Sequence, residues 1–318
     1  MNIGGAANQQ FFDNGTNGDV TSGDNIFSYQ TVVAATGGGR LTVSSAASDA
    51  QSRTANVSTV ITINGCPVSD APLALGNPSN ATADVLNETN YLMEKPQYSL
   101  SYHRNRGIAN WVAWRLDSSW IGSAQRQDDF RPDTILPGGW YQVIDQDYSG
   151  SGFDRGHSVP SGDRTCSTPD NSATFLMTNM MPQAANNNQG PWEELETYAR
   201  TLASQGNELY QFTGGTGQGG TGLNGFAATI AGGRVVVPAF TWKVILVLPV
   251  GTNDVDRISK NTQTIAVIMP NQQSIGINTP WRNFRTSVKA VEALTGLNFF
   301  SDVRPQVRGL IKQRIDVQ

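Results

Sequence analysis

One stretch of this 318-residue chain gathers side chains suited to acid–base and electrophilic work. It opens at Asp154-Arg155-Gly156-His157 and passes Asp163-Arg164 and Asn179. It then runs through Asn186-Asn187-Asn188-Gln189-Gly190-Pro191-Trp192-Glu193-Glu194-Leu195-Glu196 to Arg200. The set offers one imidazole, arginines, several carboxamides and few carboxylates. Arginine pairs bidentately with phosphate oxygens. A neutral histidine is a general base near pH 7. An asparagine holding one Mg²⁺ leaves the other octahedral positions to water and phosphate. An anionic substrate therefore suits these residues better than a neutral one. Taken singly each has a blander reading: a lone His is more often a structural hydrogen-bonder, and an Asn ahead of a helix is usually a cap. The combination and its order carry the weight.

A helix over Asn186–Ser204 has to position the second half of the set. Pro191 is tolerated only in a first turn, so the helix starts close to Asn188–Gly190. Glu193 and Glu194 then lie near the positive end of the dipole. Leu195, Ala199 and Leu202 make the apolar stripe, and Glu196 and Arg200 share a face one turn apart. If both were helical, Asn188 and Glu196 would stand roughly 12 Å apart along the axis. They are not expected to bind one small ion directly together. Asn188 is the direct ligand in this reading, and Glu196 acts through a metal-bound water.

Three other motifs dissolve on inspection. Gly215–Gly220 fits GxGxxG after a strand, but no helix opens there and another strand follows, so it is a hairpin loop. Asp145-Gln-Asp147-Tyr-Ser149-Gly150 begins like an EF-hand loop, yet Gly156 stands where a bidentate Glu is required. Gly156-His157-Ser158-Val159-Pro160 misses the second Gly of a nucleophile elbow, which argues against a serine hydrolase.

The remaining chain supplies the scaffold. Short β-type runs are expected at Ser28–Ala34, Arg40–Ser44 and Val57–Ile63, after an unstructured 1–25, and Pro67–Asn90 reads as loop. Tyr98, Leu100 and Tyr102 alternate, and with Trp111, Val112, Trp114 and Leu116 they predict a hairpin of half-buried strands. Further strands are expected at Gly139–Ile144, Glu208–Thr213, Val235–Val237, Trp242–Val250 and Thr262–Met269, with Trp242–Val250 central because it is the most apolar. Helices are expected over Arg285–Leu294, ended by Gly296, and over Pro305–Ile315, with Val307, Leu310, Ile311 and Ile315 on one face. Strands and helices do not alternate as βαβ units, so the fold class is α+β with a mostly antiparallel sheet.

Composition narrows the function classes. Net charge is −4, which argues against a protein that coats nucleic acid by bulk positive charge. The deficit sits in residues 1–85, which hold Asp but no Glu or Lys and only Arg40 and Arg53 as bases. No run approaches the roughly 20 apolar residues a membrane span needs. No basic segment followed by an apolar one opens the chain, so a secretion signal is expected to be absent or removed. Cys66 and Cys166 lie about 100 residues apart. Two unrelated thiols and one bridge, worth about 4–5 kcal/mol on the chain-entropy model, stand level.

Asp154-Arg155-Gly156-His157, with Asn179, Asn188 and Glu196, resembles the DNA/RNA non-specific endonuclease family. These are the ββα-metal nucleases, and the secreted cyanobacterial branch is the nearest in pattern. The resemblance runs from about Leu73 through Asn110-Trp111-Val112 and Arg126–Asp133 to the end of the last helix, roughly three quarters of the chain. It implies a ββα-metal fold over 67–318, behind a partly β extension at 1–66 that has no counterpart. It implies His157 as general base, Asn188 as the sole direct ligand of Mg²⁺ or Mn²⁺, and Glu196 as the residue orienting metal-bound water. Arg126 would stabilise the transition state, while Asn179, Arg155 and Arg200 would hold the site or contact phosphate. Asp154 would shape the turn without a chemical role. Ser158-Val159 depart from the apolar residue and Ala that the family often has there. The activity implied is sequence- and sugar-non-specific hydrolysis of DNA and RNA to 5′-phosphate ends by a secreted or periplasmic enzyme. An arginine patch (Arg126, Arg131, Arg155, Arg164, Arg200) would do the binding. A proteinaceous nuclease inhibitor is a compatible partner, and no membrane is implied. The rival is an inert nuclease-like surface or adhesion protein, against which the complete motif argues.

Overall fold

Near the N-terminus, two runs rich in Thr, Ser and Val pair as an antiparallel ribbon: β1 (Gly39–Ser48) and β2 (Thr54–Ile63), in register from Gly39↔Ile63 to Ser48↔Thr54. The computed structural model describes residues 11–28, 39–48, 51–63, 66–67 and 71–317. The chain divides into two units, Met1–Val68 and Ser69–Gln318. Beyond Ser28, the strand expected at Ser28–Ala34 lies outside the described residues. The expectation that 1–25 lacks structure needs correction over 11–28. Phe12 and Ser28 exchange backbone hydrogen bonds of 2.8 Å. The Asp13 carboxylate accepts from the N–H groups of Gly23, Asp24 and Asn25. A carboxylate that collects backbone donors can fix a loop that has no apolar core.

The second unit is built on one antiparallel sheet. A meander of β3 (Tyr91–Glu94), β4 (Ser99–His103) and β5 (Ile108–Leu116) supplies three neighbours. Next along the chain come β6 (Asp154–His157), α1 (Thr168–Ala173), β7 (Met180–Gln183), α2 (Ala185–Asn187) and α3 (Glu193–Ser204). Then follow β8 (Asn207–Thr216) and two small ladders, β9 (Gly220–Gly222) with β10 (Gly225–Ala227) and β11 (Thr229–Ile230) with β12 (Val235–Val236). The chain closes with β13 (Phe240–Pro249), α4 (Asp254–Arg257), β14 (Gln263–Pro270), β15 (Arg285–Thr286), α5 (Val288–Thr295) and α6 (Pro305–Gln313). The seven-stranded sheet has the order β15-β14-β13-β8-β5-β4-β3.

Alternation along the strands sends side chains to two cores. On β5, Val112, Trp114 and Leu116 join the cluster that includes Trp192, Leu195 and Ala199. Trp111 and Ala113 join the opposite cluster with Val288, Val291, Phe299 and Ile311. The sheet is thus covered by α3 on one face and by α5 and α6 on the other. Strand β13 is flanked by β14 and β8, as its apolar run predicts.

Four expectations shift. Gly139–Ile144 is not a strand: Trp140 and Val143 are buried, but no neighbouring strand pairs with their backbone. The helix expected from Arg285 begins at Val288, because Ser287 caps it by accepting from the Ala290 N–H while Arg285–Thr286 pair with β14. Gly296 ends it in the left-handed region at φ 74°. The helix expected to Ile315 ends at Gln313, and on it Ile311 is buried while Leu310 is half exposed, so the apolar face is narrower than expected. The helix expected from Asn186 is broken into α2, a wide turn at Asn188–Trp192 and α3. The break falls at Gly190, where a β carbon would sit 2.3 Å from the Ile277 carbonyl oxygen, and at Pro191, which donates no hydrogen bond.

Candidate active site

Strand β6 lies antiparallel to β7, with Arg155 opposite Pro182 and His157 opposite Met180. Gly156 is required at this crossing: a β carbon there would fall 2.2 Å from Gln183 Oε1 and 3.0 Å from the Met181 carbonyl oxygen. The chain leaves β7 directly into α2. There the three consecutive asparagines have different fates. Asn186 donates to the Gln273 carbonyl at 2.6 Å. Asn187 is fully buried and donates to Thr241 Oγ1 and the Pro270 carbonyl, anchoring α2 to the large sheet. Asn188 turns to a cavity, and its Nδ2 donates to Asp154 Oδ2 at 2.9 Å. With the amide nitrogen committed, Oδ1 is the atom left to act as an acceptor or ligand. Gln189 Nε2 also donates to Asp154 Oδ2, at 2.8 Å. Asp154 thus orients Asn188 as well as ending the turn, a role that sequence reasoning did not assign.

The cavity has a volume of about 430 Å³, and His157, Asn188, Glu196, Arg126, Arg155 and Arg200 all line it. A neighbouring hollow of about 400 Å³ shares Arg126, Arg155 and Asn188 and extends to Phe130 and Asp145. The His157 ring packs on Phe175, 5.0 Å between centroids, and on Phe130 at 5.7 Å. Its Nε2 is enclosed without a hydrogen-bond partner. Burial, then the positive charges of Arg126 and Arg155, push the imidazole down to about 3, so it is neutral at physiological pH.

The same two aromatic rings carry the arginines. The Arg126 guanidinium lies 4.9 Å from the Phe175 centroid and donates to Ser161 Oγ at 2.7 Å. The Arg155 guanidinium lies 4.1 Å from the Phe130 centroid and pairs with Asp145. Stacking holds each planar cation, and Arg126 Nε also pairs with Asp128 at 2.6 Å, so only the remaining guanidinium donors are open to an anion. Arg200 pairs with Asp163 at 3.2 Å.

Three expected groups stand elsewhere. Asn179 is fully buried beneath the cavity: its Oδ1 accepts from the Val159 N–H, and its Nδ2 donates to the Val159 and Thr174 carbonyls. It holds the segment that follows His157 and does not line the cavity. Arg164 leaves the expected phosphate-binding patch. It is fully buried over Trp120 and donates to the backbone carbonyls of Gln97, Arg115 and Asp163, a saturated structural role. Arg131 is tied to Asp129 and to the Ser172 carbonyl, outside both hollows. The patch contracts to Arg126, Arg155 and Arg200.

Below Glu196 lies a charged layer with little access to water. Lys243 on β13 is buried, with Nζ 3.6 Å from Glu196 Oε1. Burial pushes the Glu196 carboxyl up to about 7 against the pull of Lys243, and burial likewise lowers the Lys243 ammonium. Asp163 accepts from Trp114 Nε1 at 2.9 Å beside its contact with Arg200.

Residues 76–306 match the model of the DNA/RNA non-specific endonuclease family. The chain belongs to this family. A nuclease of Nostoc sp. is 50% identical over 244 residues, covering 77% of this chain and 85% of its own. Nuclease C1 of Cunninghamella echinulata is 34% identical and covers 74% and 89%. Human mitochondrial endonuclease G is 29% identical over 67% of this chain and 70% of its own. Among solved structures, endonuclease G in complex with its inhibitor EndoGI is similar at a TM-score of 0.60 and 25% identity, over 73% of this chain and 91% of that one. Membership makes the protein a nuclease, a hydrolase of phosphodiester bonds, and the α+β fold is that of the ββα-metal group. Phe130, Phe175, Ser161, Gln189 and Lys243 are among the residues at the site of this endonuclease that sequence reasoning missed. For Lys243 a signal existed: it is the lone charge inside the most apolar strand, Thr241–Pro249.

Proposed function

We propose that the protein is a metal-dependent endonuclease that cuts DNA and RNA without sequence preference and leaves 5′-phosphate ends. The observation that carries this reading is the convergence of His157, Asn188, Glu196 and three arginines on one cavity. The donor set fits a hard divalent cation: a free carboxamide oxygen on Asn188, a nearby carboxylate on Glu196, and room for water. Asn188 would hold Mg²⁺ or Mn²⁺ directly, with Glu196 acting through water. When bound, the ion supplies positive charge to the scissile phosphate and the leaving 3′-oxygen.

The chain's own residues do the rest. His157 accepts a proton from the water that attacks phosphorus in line. Burial is the larger cause of its low basicity and the two arginines the smaller, and a bound phosphate offsets only the arginine share. Arg126 lends charge to the pentacovalent phosphate, and Arg155 and Arg200 hold phosphates on either side. These contacts read no base edges, so sequence preference is weak. The 2′-hydroxyl has no part in the attack, so both sugars are accepted. The inhibitor bound to endonuclease G supports a proteinaceous inhibitor as a partner beside nucleic acid.

The test is direct. Purified protein should degrade supercoiled plasmid and RNA with Mg²⁺ or Mn²⁺ and spare both in EDTA. Fragments should accept end label from polynucleotide kinase only after phosphatase treatment. Cutting in EDTA, or 5′-hydroxyl ends, would contradict the proposal.

A further inference from the structure

Lys243 sits in the middle of β13, opposite Thr213 on β8 and Val267 on β14, with a side chain only 1% exposed. Its Nζ makes no hydrogen bond within the described residues. It lies 4.4 Å from the Trp192 ring centroid and 5.4 Å from that of Trp114. The carboxylate it pairs with is Glu196, at 3.6 Å. An ammonium so deeply buried normally fills its donors, because unmet charge in a low dielectric is costly. Two indole faces confine the cation here; its nearest carboxylate oxygen is on Glu196, and Asp163 is the second carboxylate that attracts it. The rest of the Glu196 carboxylate faces the cavity shared with Asn188 and His157.

We propose that Lys243 is a positioning residue for the hydrolysis: from beneath the cavity its ammonium holds the Glu196 carboxylate toward the ion site of Asn188. The inference rests on the metal role proposed above for Glu196. Lys243 lines neither hollow and acts through Glu196, its nearest carboxylate. Removing such an outer partner typically weakens metal affinity by about 10–100-fold.

The experiment compares wild type with Lys243→Met, Lys243→Arg, Glu196→Gln and the Glu196→Gln/Lys243→Met double variant. Mn²⁺ binding is measured by calorimetry without nucleic acid, and kcat and KM are measured on a defined duplex. Lys243→Met should weaken Mn²⁺ binding about tenfold or more and lower kcat by a similar factor, with KM for DNA unchanged. Lys243→Arg should recover part of both. In the Glu196→Gln background, Lys243→Met should add no further loss. Wild-type Mn²⁺ affinity and kcat in Lys243→Met, or a full additional loss in the double variant, would overturn the inference. Should Lys243→Met not fold, the double variant, which removes both charges together, decides by the same criterion against Glu196→Gln. A wild type that neither binds Mn²⁺ nor cuts would instead strike at the proposed function.

Discussion

Two buried lysine–glutamate pairs lie on opposite faces of the sheet, and they are finished differently. On the far face, Lys312 Nζ donates to both Glu292 Oε1 and Asn298 Oδ1, while Glu292 also accepts from the Phe299 N–H and from Lys289. On the cavity face, Lys243 stands 3.6 Å from Glu196 without a hydrogen bond. Both pairs are shielded from water, yet only in the first does the ammonium make hydrogen bonds. A saturated buried network fixes structure; an unsaturated one costs stability and persists where function needs it. His157, with its enclosed and unpartnered Nε2, belongs to the same unsaturated face.

Five substitutions probe that contrast. The largest effect is expected from His157→Ala, which should lower kcat by about 10²–10⁴-fold while leaving the urea midpoint close to wild type. A near-normal rate would take the base away from His157. Next comes Lys312→Met, which leaves Glu292 only the exposed Lys289 and the Phe299 N–H as partners and should cost up to about 3–5 kcal/mol in denaturant titration, with kcat per folded molecule unchanged. A loss of kcat there would erase the distinction between the two faces. The arginines divide the same way. Arg155→Ala should reduce the slope of log(kcat/KM) against log[salt] by about 1. Arg164→Ala should lower Tm and leave that slope alone. The smallest effect concerns acid. The folded imidazole of residue 157 is held at about 3 and the unfolded one titrates near 6.5. The unfolded state therefore binds the extra proton between these values, and this share of stability is lost as pH falls through 6.5 toward 3. His157→Gln should lose less Tm between pH 7 and 4 than wild type does; an equal loss would contradict the depressed basicity.

Much of the site was readable from residue order alone. Asp154–His157, Asn188 and Glu196 were singled out from their chemistry and spacing, and the apolar runs of β8, β13 and β14 announced their strands. What escaped was tertiary. Arg155 and Arg164 look alike in sequence, yet one stacks beside the cavity and the other is sealed over Trp120. Gly139–Ile144 has the aromatic and β-branched residues of a strand but finds no partner backbone. The turn at Gly190 depends on a close approach by Ile277, 87 residues away in the chain, which no local pattern encodes. Lys243 was overlooked because its partner sits on a different element, although a single charge inside an apolar strand is itself a signal.

The central claim is that the proton acceptor and the ion holder are separate groups meeting at one phosphate. Calorimetric titration of Mn²⁺ into wild type, His157→Ala and Asn188→Ala tests it most directly. The account expects one ion bound with similar affinity by wild type and His157→Ala, and at least about tenfold weaker binding by Asn188→Ala. Unchanged binding in Asn188→Ala, or its loss in His157→Ala, would contradict the account.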